Sequence, residues 1–189
     1  MKKIVIFSII SVALFFTNCA TTKYMSAKDA EGSRQWGPLE IKTTTNAMVN
    51  SLYNYLKQSN NPAYLDVSKI RNRTSEHIDT NMLANEITTN LLQKQIKFID
   101  RTMREETIKE IEAGQTGLID SESAIPVGEL KSPNFLLMGD IIDNVRFVDG
   151  NRIQYLVVTL KLIETATSEV KWQNQQEFLK ASAEEKMSW

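Results

Sequence analysis

The sequence predicts an α+β fold: a single domain with a mixed, mostly antiparallel sheet packed with helices, preceded by a signal peptide and a short tether. Three observations predict it. Apolar residues recur at helical spacing between residues 41 and 91. Strict alternation sets in between residues 155 and 162, after an Asp-Gly turn. Helical and strand patterns also interleave in the first half of the domain, while the end of the chain is strand after strand.

In chain order, Lys2 and Lys3 form a basic start, and Ile4 through Phe16 is an almost unbroken apolar run. Its length of about 13 residues is short of the ~20 needed to span a bilayer, but it suits a signal-peptide core. Cys19, the only cysteine, follows directly after Thr17-Asn18. A lone thiol there reads as a lipid-attachment point, with residues 1–18 removed and Cys19 left first. No second cysteine exists for a disulfide, so stability rests on packing. Residues 19–36 are small and polar and read as a tether. It stretches to at most about 60 Å and averages roughly 20–25 Å as a flexible coil.

The domain is expected over residues 37–178. Ile41, Met48, Leu52, Tyr55 and Leu56 predict a first helix, stopped by Asn60-Asn61-Pro62. Tyr64 to Ile70 alternates as a strand, and Arg71 to Asp79 reads as a polar loop. Asp79 is placed to cap the next helix, whose buried stripe is Leu83, Ile87 and Leu91. A short strand near Ile96–Asp100 precedes a charged helix from about Thr102 to Glu112, ending at Ala113-Gly114. Pro126 to Lys131 reads as a short helix with proline in its first turn. The apolar run Phe135–Met138 predicts a strand covered on both faces. Asp149-Gly150 marks a hairpin. After it Leu156, Val158, Leu160 and Leu162 face one way, and a last strand starts at Val170-Lys-Trp172. Residues 179–189 read as a polar C-terminal tail.

Composition and motifs exclude several functions. With 22 basic and 23 acidic residues, the net charge of −1 gives no footprint for a nucleic-acid partner. The one histidine, His77, lies near Glu76 and Asp79, but one histidine without cysteine or a second histidine is a poor metal site. Glu106 and Glu110 lie four apart on a charged helix and read as a solvated face. No phosphate loop, dinucleotide motif or nucleophile elbow is present. The sequence therefore predicts no catalytic residues, no metal, no cofactor and no small-molecule substrate. No segment of the predicted domain approaches bilayer length, so membrane attachment would be through a lipid anchor.

Ile70 to Leu91, with Asn72-Arg73-Thr74 and Glu76-His77-Ile78-Asp79 as its most specific parts, resembles the LpoB-type lipoprotein activators of penicillin-binding proteins. The likeness continues in Phe98–Arg101, Gln115–Asp120, Phe135–Asp140, Thr159–Ile163 and Glu169–Trp172, and covers most of residues 36–178. It implies a fold like the N-terminal domain of the Tol-system periplasmic protein. It also implies a non-enzymatic lipoprotein on the periplasmic face of the outer membrane, which binds a class A penicillin-binding protein and stimulates peptidoglycan synthesis. The alternative is a structural or secretion-assembly outer-membrane lipoprotein of related fold. The curli-type channels of that class need additional amphipathic strands of roughly ten residues for a barrel, and here the alternating strands are consumed by the sheet.

For partner binding the sequence offers Arg71 and Arg73, whose guanidinium groups could each meet a partner carboxylate from a surface loop. The competing reading pairs one of them with Glu76 or Asp79 to hold that loop. If neither docks, the exposed side of the Asp149-Gly150 hairpin is next.

Overall fold

The computed structural model describes residues 36–59 and 62–183. The expected signal peptide, Cys19 and the tether through residue 35 lie outside the described residues, as do residues 184–189 of the expected tail.

Helix α1 spans Pro38–Gln58. Pro38 sits at its first position, where the missing N–H costs nothing, and the Gly37 N–H donates to Glu40 Oε2 at 3.0 Å. Its buried stripe runs through Ile41, Thr44, Thr45, Met48, Val49, Leu52 and Leu56. Strand β1 (Tyr64–Arg73) and helix α2 (Thr80–Gln93) follow. The four-residue spacing of Leu83, Ile87 and Leu91 puts all three on one side of α2, where each is fully buried.

Strand β2 is only Lys97–Phe98. A 3-10 turn, Arg101–Met103, then leads into the charged helix α3, Arg104–Gly114, which buries no residue. Strands β3 (Phe135–Val148), β4 (Asn151–Glu164) and β5 (Val170–Ala183) complete the fold.

The sheet order is β2-β1-β3-β4-β5. β1 runs parallel to both β2 and β3, whereas β3, β4 and β5 form an antiparallel meander. Helices α1 and α2 pack on each other and on one face of this sheet. Their stripes close over Leu65, Ile70, Leu137, Ile141, Leu156, Val158, Leu160 and Leu162. Trp172 Nε1 donates to Ser51 Oγ at 3.2 Å, tying β5 to α1. Gly139 lies at the centre of the packed face. A Cβ there would meet Leu160 Cδ2 at 2.6 Å and the Thr159 carbonyl at 2.8 Å, so only glycine lets β3 and β4 approach this closely. The hairpin turn has φ of 50° at Asp149 and 72° at Gly150, the positive pair that matches strand twist.

The structure corrects four expectations. β1 continues to Arg73 because Arg71, Asn72 and Arg73 pair with Asp140, Ile141 and Ile142, so these residues are strand rather than loop. Residues 126–131 form no helix, since Gly128 takes φ +93°, which no right-handed helix admits. The Phe135–Met138 run alternates: Phe135 and Leu137 are buried, while Leu136 and Met138 on the other face are half-buried. Finally, β5 extends to Ala183, because residues 179–183 stay in register with β4 down to Asn151. Five residues of the expected tail are therefore strand.

Candidate functional site

Paired residues of neighbouring strands point to the same face, so the register assigns every side chain near β1's end. Arg71 and Arg73 lie on the face away from the helices, beside Asp140 and Ile142. Arg71 grips Asp140 across the two strands, with Nε to Oδ1 at 2.8 Å and Nη2 to Oδ2 at 3.0 Å. The Arg71 hydrogen bonds hold the Asp140 carboxyl below its ordinary pKa against a smaller opposing effect of burial, and the nearby Arg73 and Lys161 charges add to the lowering. Arg73 is exposed and forms no ion pair among the described residues.

On the helix-facing side the loop after β1 is sewn to the sheet. Asn72 Oδ1 accepts from the Thr74 N–H at 3.0 Å, and Asn72 Nδ2 donates to the Glu76 carbonyl at 2.8 Å. The Ser75 N–H and hydroxyl both donate to Asp143, at 3.1 and 2.6 Å. Glu76 Oε1 accepts from Arg152 Nη2 at 3.1 Å, Arg152 Nη1 donates to Gln154 Oε1 at 3.0 Å, and Gln154 Nε2 donates to Asp143 Oδ2 at 2.8 Å. Burial pushes Asp143 upward, but the bonds from Ser75 and Gln154 outweigh it and leave the carboxyl below its usual value. The expected partner of Glu76, Arg71 or Arg73, is thus replaced by Arg152, because the strand carries both β1 arginines to the other face.

Asp79 stands at the N-cap of α2, where its Oδ1 accepts from the N–H groups of Asn81 at 2.9 Å and Met82 at 3.4 Å. His77 is exposed and borders a shallow groove with Trp36, Pro38 and Met82. Among the described residues, no three or more His, Cys, Asp or Glu side chains come together as they would around a metal ion.

Sequence reasoning missed Asp140, Asp143, Arg152 and Gln154. Asp140 lies 69 residues from Arg71, a pairing that no local spacing announces. Arg152 and Gln154 did leave a signal. They extend the inward row of Leu156, Val158, Leu160 and Leu162 by two polar steps, and polar residues in a core row require buried partners.

A family model described as the peptidoglycan-synthase activator LpoB matches residues 40–178. No curated protein sequence matches the chain. Among solved structures, the LpoB C-terminal domain from Salmonella enterica is 13% identical, covers 71% of this chain and 97% of its own, and has a TM-score of 0.43. The LpoB C-terminal domain from Escherichia coli gives 13% identity, 71% and 96% coverage and the same TM-score of 0.43. Lipoprotein GNA1162 from Neisseria meningitidis gives 16% identity, 64% and 85% coverage and a TM-score of 0.37. On the strength of the family match, which runs from the third residue of α1 to the ninth of β5, the chain belongs to the family of the peptidoglycan-synthase activator LpoB.

Proposed function

We propose that this protein is lipid-anchored through Cys19 at the periplasmic face of the outer membrane. From there it binds a class A penicillin-binding protein and stimulates peptidoglycan synthesis without being an enzyme itself. The observation that carries the reading is the family match over residues 40–178. The position of Cys19 after a basic start and a short apolar core supports the anchor.

Recognition runs through Arg71 and Arg73, in unequal roles. Arg71 already satisfies Asp140, and together they present a fixed, nearly neutral pair. Arg73 has its guanidinium free for a partner carboxylate, which makes it the stronger contact. The test is capture from cross-linked membranes followed by mass spectrometry. Recovery of a class A synthase supports the reading. Recovery of an oligomeric outer-membrane ring instead would favour a secretion-assembly role.

A further inference from the structure

The two faces of the sheet differ in cover. The face under α1 and α2 is closed, whereas the opposite face is open along its hairpin half. There Ile142, Tyr155 and Leu179 stand 45%, 40% and 73% exposed on three successive strands. They are neighbours: Tyr155 pairs with Leu179 on one side and with Asn144 on the other, and Ile142 pairs with Val157 one step further along. Val157, the partner of Ile142 on the same face, is only 7% exposed and continues the apolar row along β4. Asn144, Arg146, Ile153, Tyr155 and Leu179 line a groove of about 300 Å³. Leu179 is the telling residue. Its outward neighbours along β5 are Gln173, Gln175 and Glu177, which suit water, and nothing in the fold of the described residues needs a leucine there.

Charge gives the groove a sign. From Met138 to the hairpin this face carries Arg71, Arg73, Arg146 and Lys161 against Asp140 and Glu177. Arg71 and Asp140 neutralise each other, and Glu177 is engaged by Tyr155, whose hydroxyl pKa is raised by that hydrogen bond. Arg73 and Arg146 form no ion pair among the described residues. An apolar groove with a cationic rim thus sits on a chain whose net charge is −1. Such a rim repels a second copy of itself, and a concave groove takes a protruding side chain better than it enters a bilayer. It fits a folded protein surface offering an apolar side chain flanked by carboxylates.

We propose that this helix-free face, centred on Ile142, Tyr155 and Leu179 with Arg73 and Arg146 on its rim, is where the synthase docks. The face takes an apolar side chain bordered by Asp or Glu on that partner. The proposal rests on the reading of the protein as a synthase activator, and the experiment separates the two.

A photo-crosslinking amino acid is placed in the full-length protein in cells, at position 155, at 179, or at 109 on α3 as a control. The proposal expects adducts with a class A synthase from 155 and 179 and none from 109. It also expects Leu179→Glu and Tyr155→Glu to weaken binding of the purified synthase at least tenfold, with circular dichroism and melting unchanged. Synthase adducts from 109 but not from 155 or 179 would overturn the face and leave the activator reading standing. Lipid adducts or self-adducts at 155 and 179 would overturn it in favour of a membrane or a second copy. No synthase adduct from any position, with no synthase captured by the unmodified protein, would remove the activator reading and this inference with it.

Discussion

The pair Glu76–Arg152 shows how single residues hold the loop that precedes α2. Arg152 and Glu76 side chains are only 8% and 16% exposed, so each charge relies on the other, and Arg152 relies on Gln154 as well. Removing one partner strands the other in a poorly solvated site, which typically costs about 3–5 kcal/mol. Glu76→Ala is therefore expected to lower stability by about that amount in denaturant unfolding. A loss below about 1 kcal/mol would mean that Arg152 finds water instead. Asp140 and Asp143 make the second prediction at this scale. Both carboxyls sit below their ordinary value in the folded protein, so they bind fewer protons folded than unfolded. Their contribution is complete above the unfolded value of about 3.9 and disappears as pH falls through it toward the lower folded values. Melting temperature measured from pH 7 to pH 2 should hold steady to about pH 5 and then drop, and Asp143→Asn should shrink that drop. A melting temperature unchanged between pH 5 and pH 2 would refute the assignment.

Among elements, α2 is the clearest case of sequence dictating structure. Leu83, Ile87 and Leu91 set its face, and Asp79 ends it cleanly by accepting two free N–H groups. Asp79→Ala should cost about 1 kcal/mol, within the usual ~0.5–2 range for a lost cap, read as a shift in the urea midpoint at constant m-value. Chelator should leave the wild-type melting temperature unchanged. The errors have equally local causes. Arg71-Asn72-Arg73 carries no apolar residue, so nothing in it reports the pairing with β3 that makes it strand. The second half of β5 shows no sustained apolar alternation: Glu177, Leu179 and Ala181 face outward, and the inner residues Phe178 and Lys180 reach Trp36 and Glu40 at the entry to the domain. A half-covered edge strand looks like a tail in sequence. At Pro126 the helix-start signal was real, but Gly128 in the left-handed region overrode it.

At the scale of the whole molecule, the fold class was legible because α1 and α2 carry apolar stripes at helical spacing and β4 a two-residue alternation. The candidate site was less legible, since it joins β1 and the loop after it to β3 and β4 across gaps such as the 69 residues between Arg71 and Asp140. The open face becomes visible only when β1, β3, β4 and β5 are placed in register. The anchor belongs to this scale as well. On the proposed reading, a tether over residues 19–36 with an average reach of roughly 20–25 Å would keep the domain near the membrane that holds Cys19. Cys19→Ala should therefore move the protein from the membrane pellet to the soluble fraction and abolish incorporation of labelled palmitate. Undiminished membrane retention would contradict the anchor.

The central claim is that this protein activates a peptidoglycan synthase by contact through its open sheet face. The most direct test is glycan polymerisation by the organism's purified class A synthase, followed with and without the full-length protein, and with Arg73→Glu and Leu179→Glu variants that melt like wild type. Wild type is expected to raise the polymerisation rate several-fold, and either variant to remove most of the gain. A rate unaffected by wild type would contradict the activator claim, and stimulation undiminished in both variants would contradict the face.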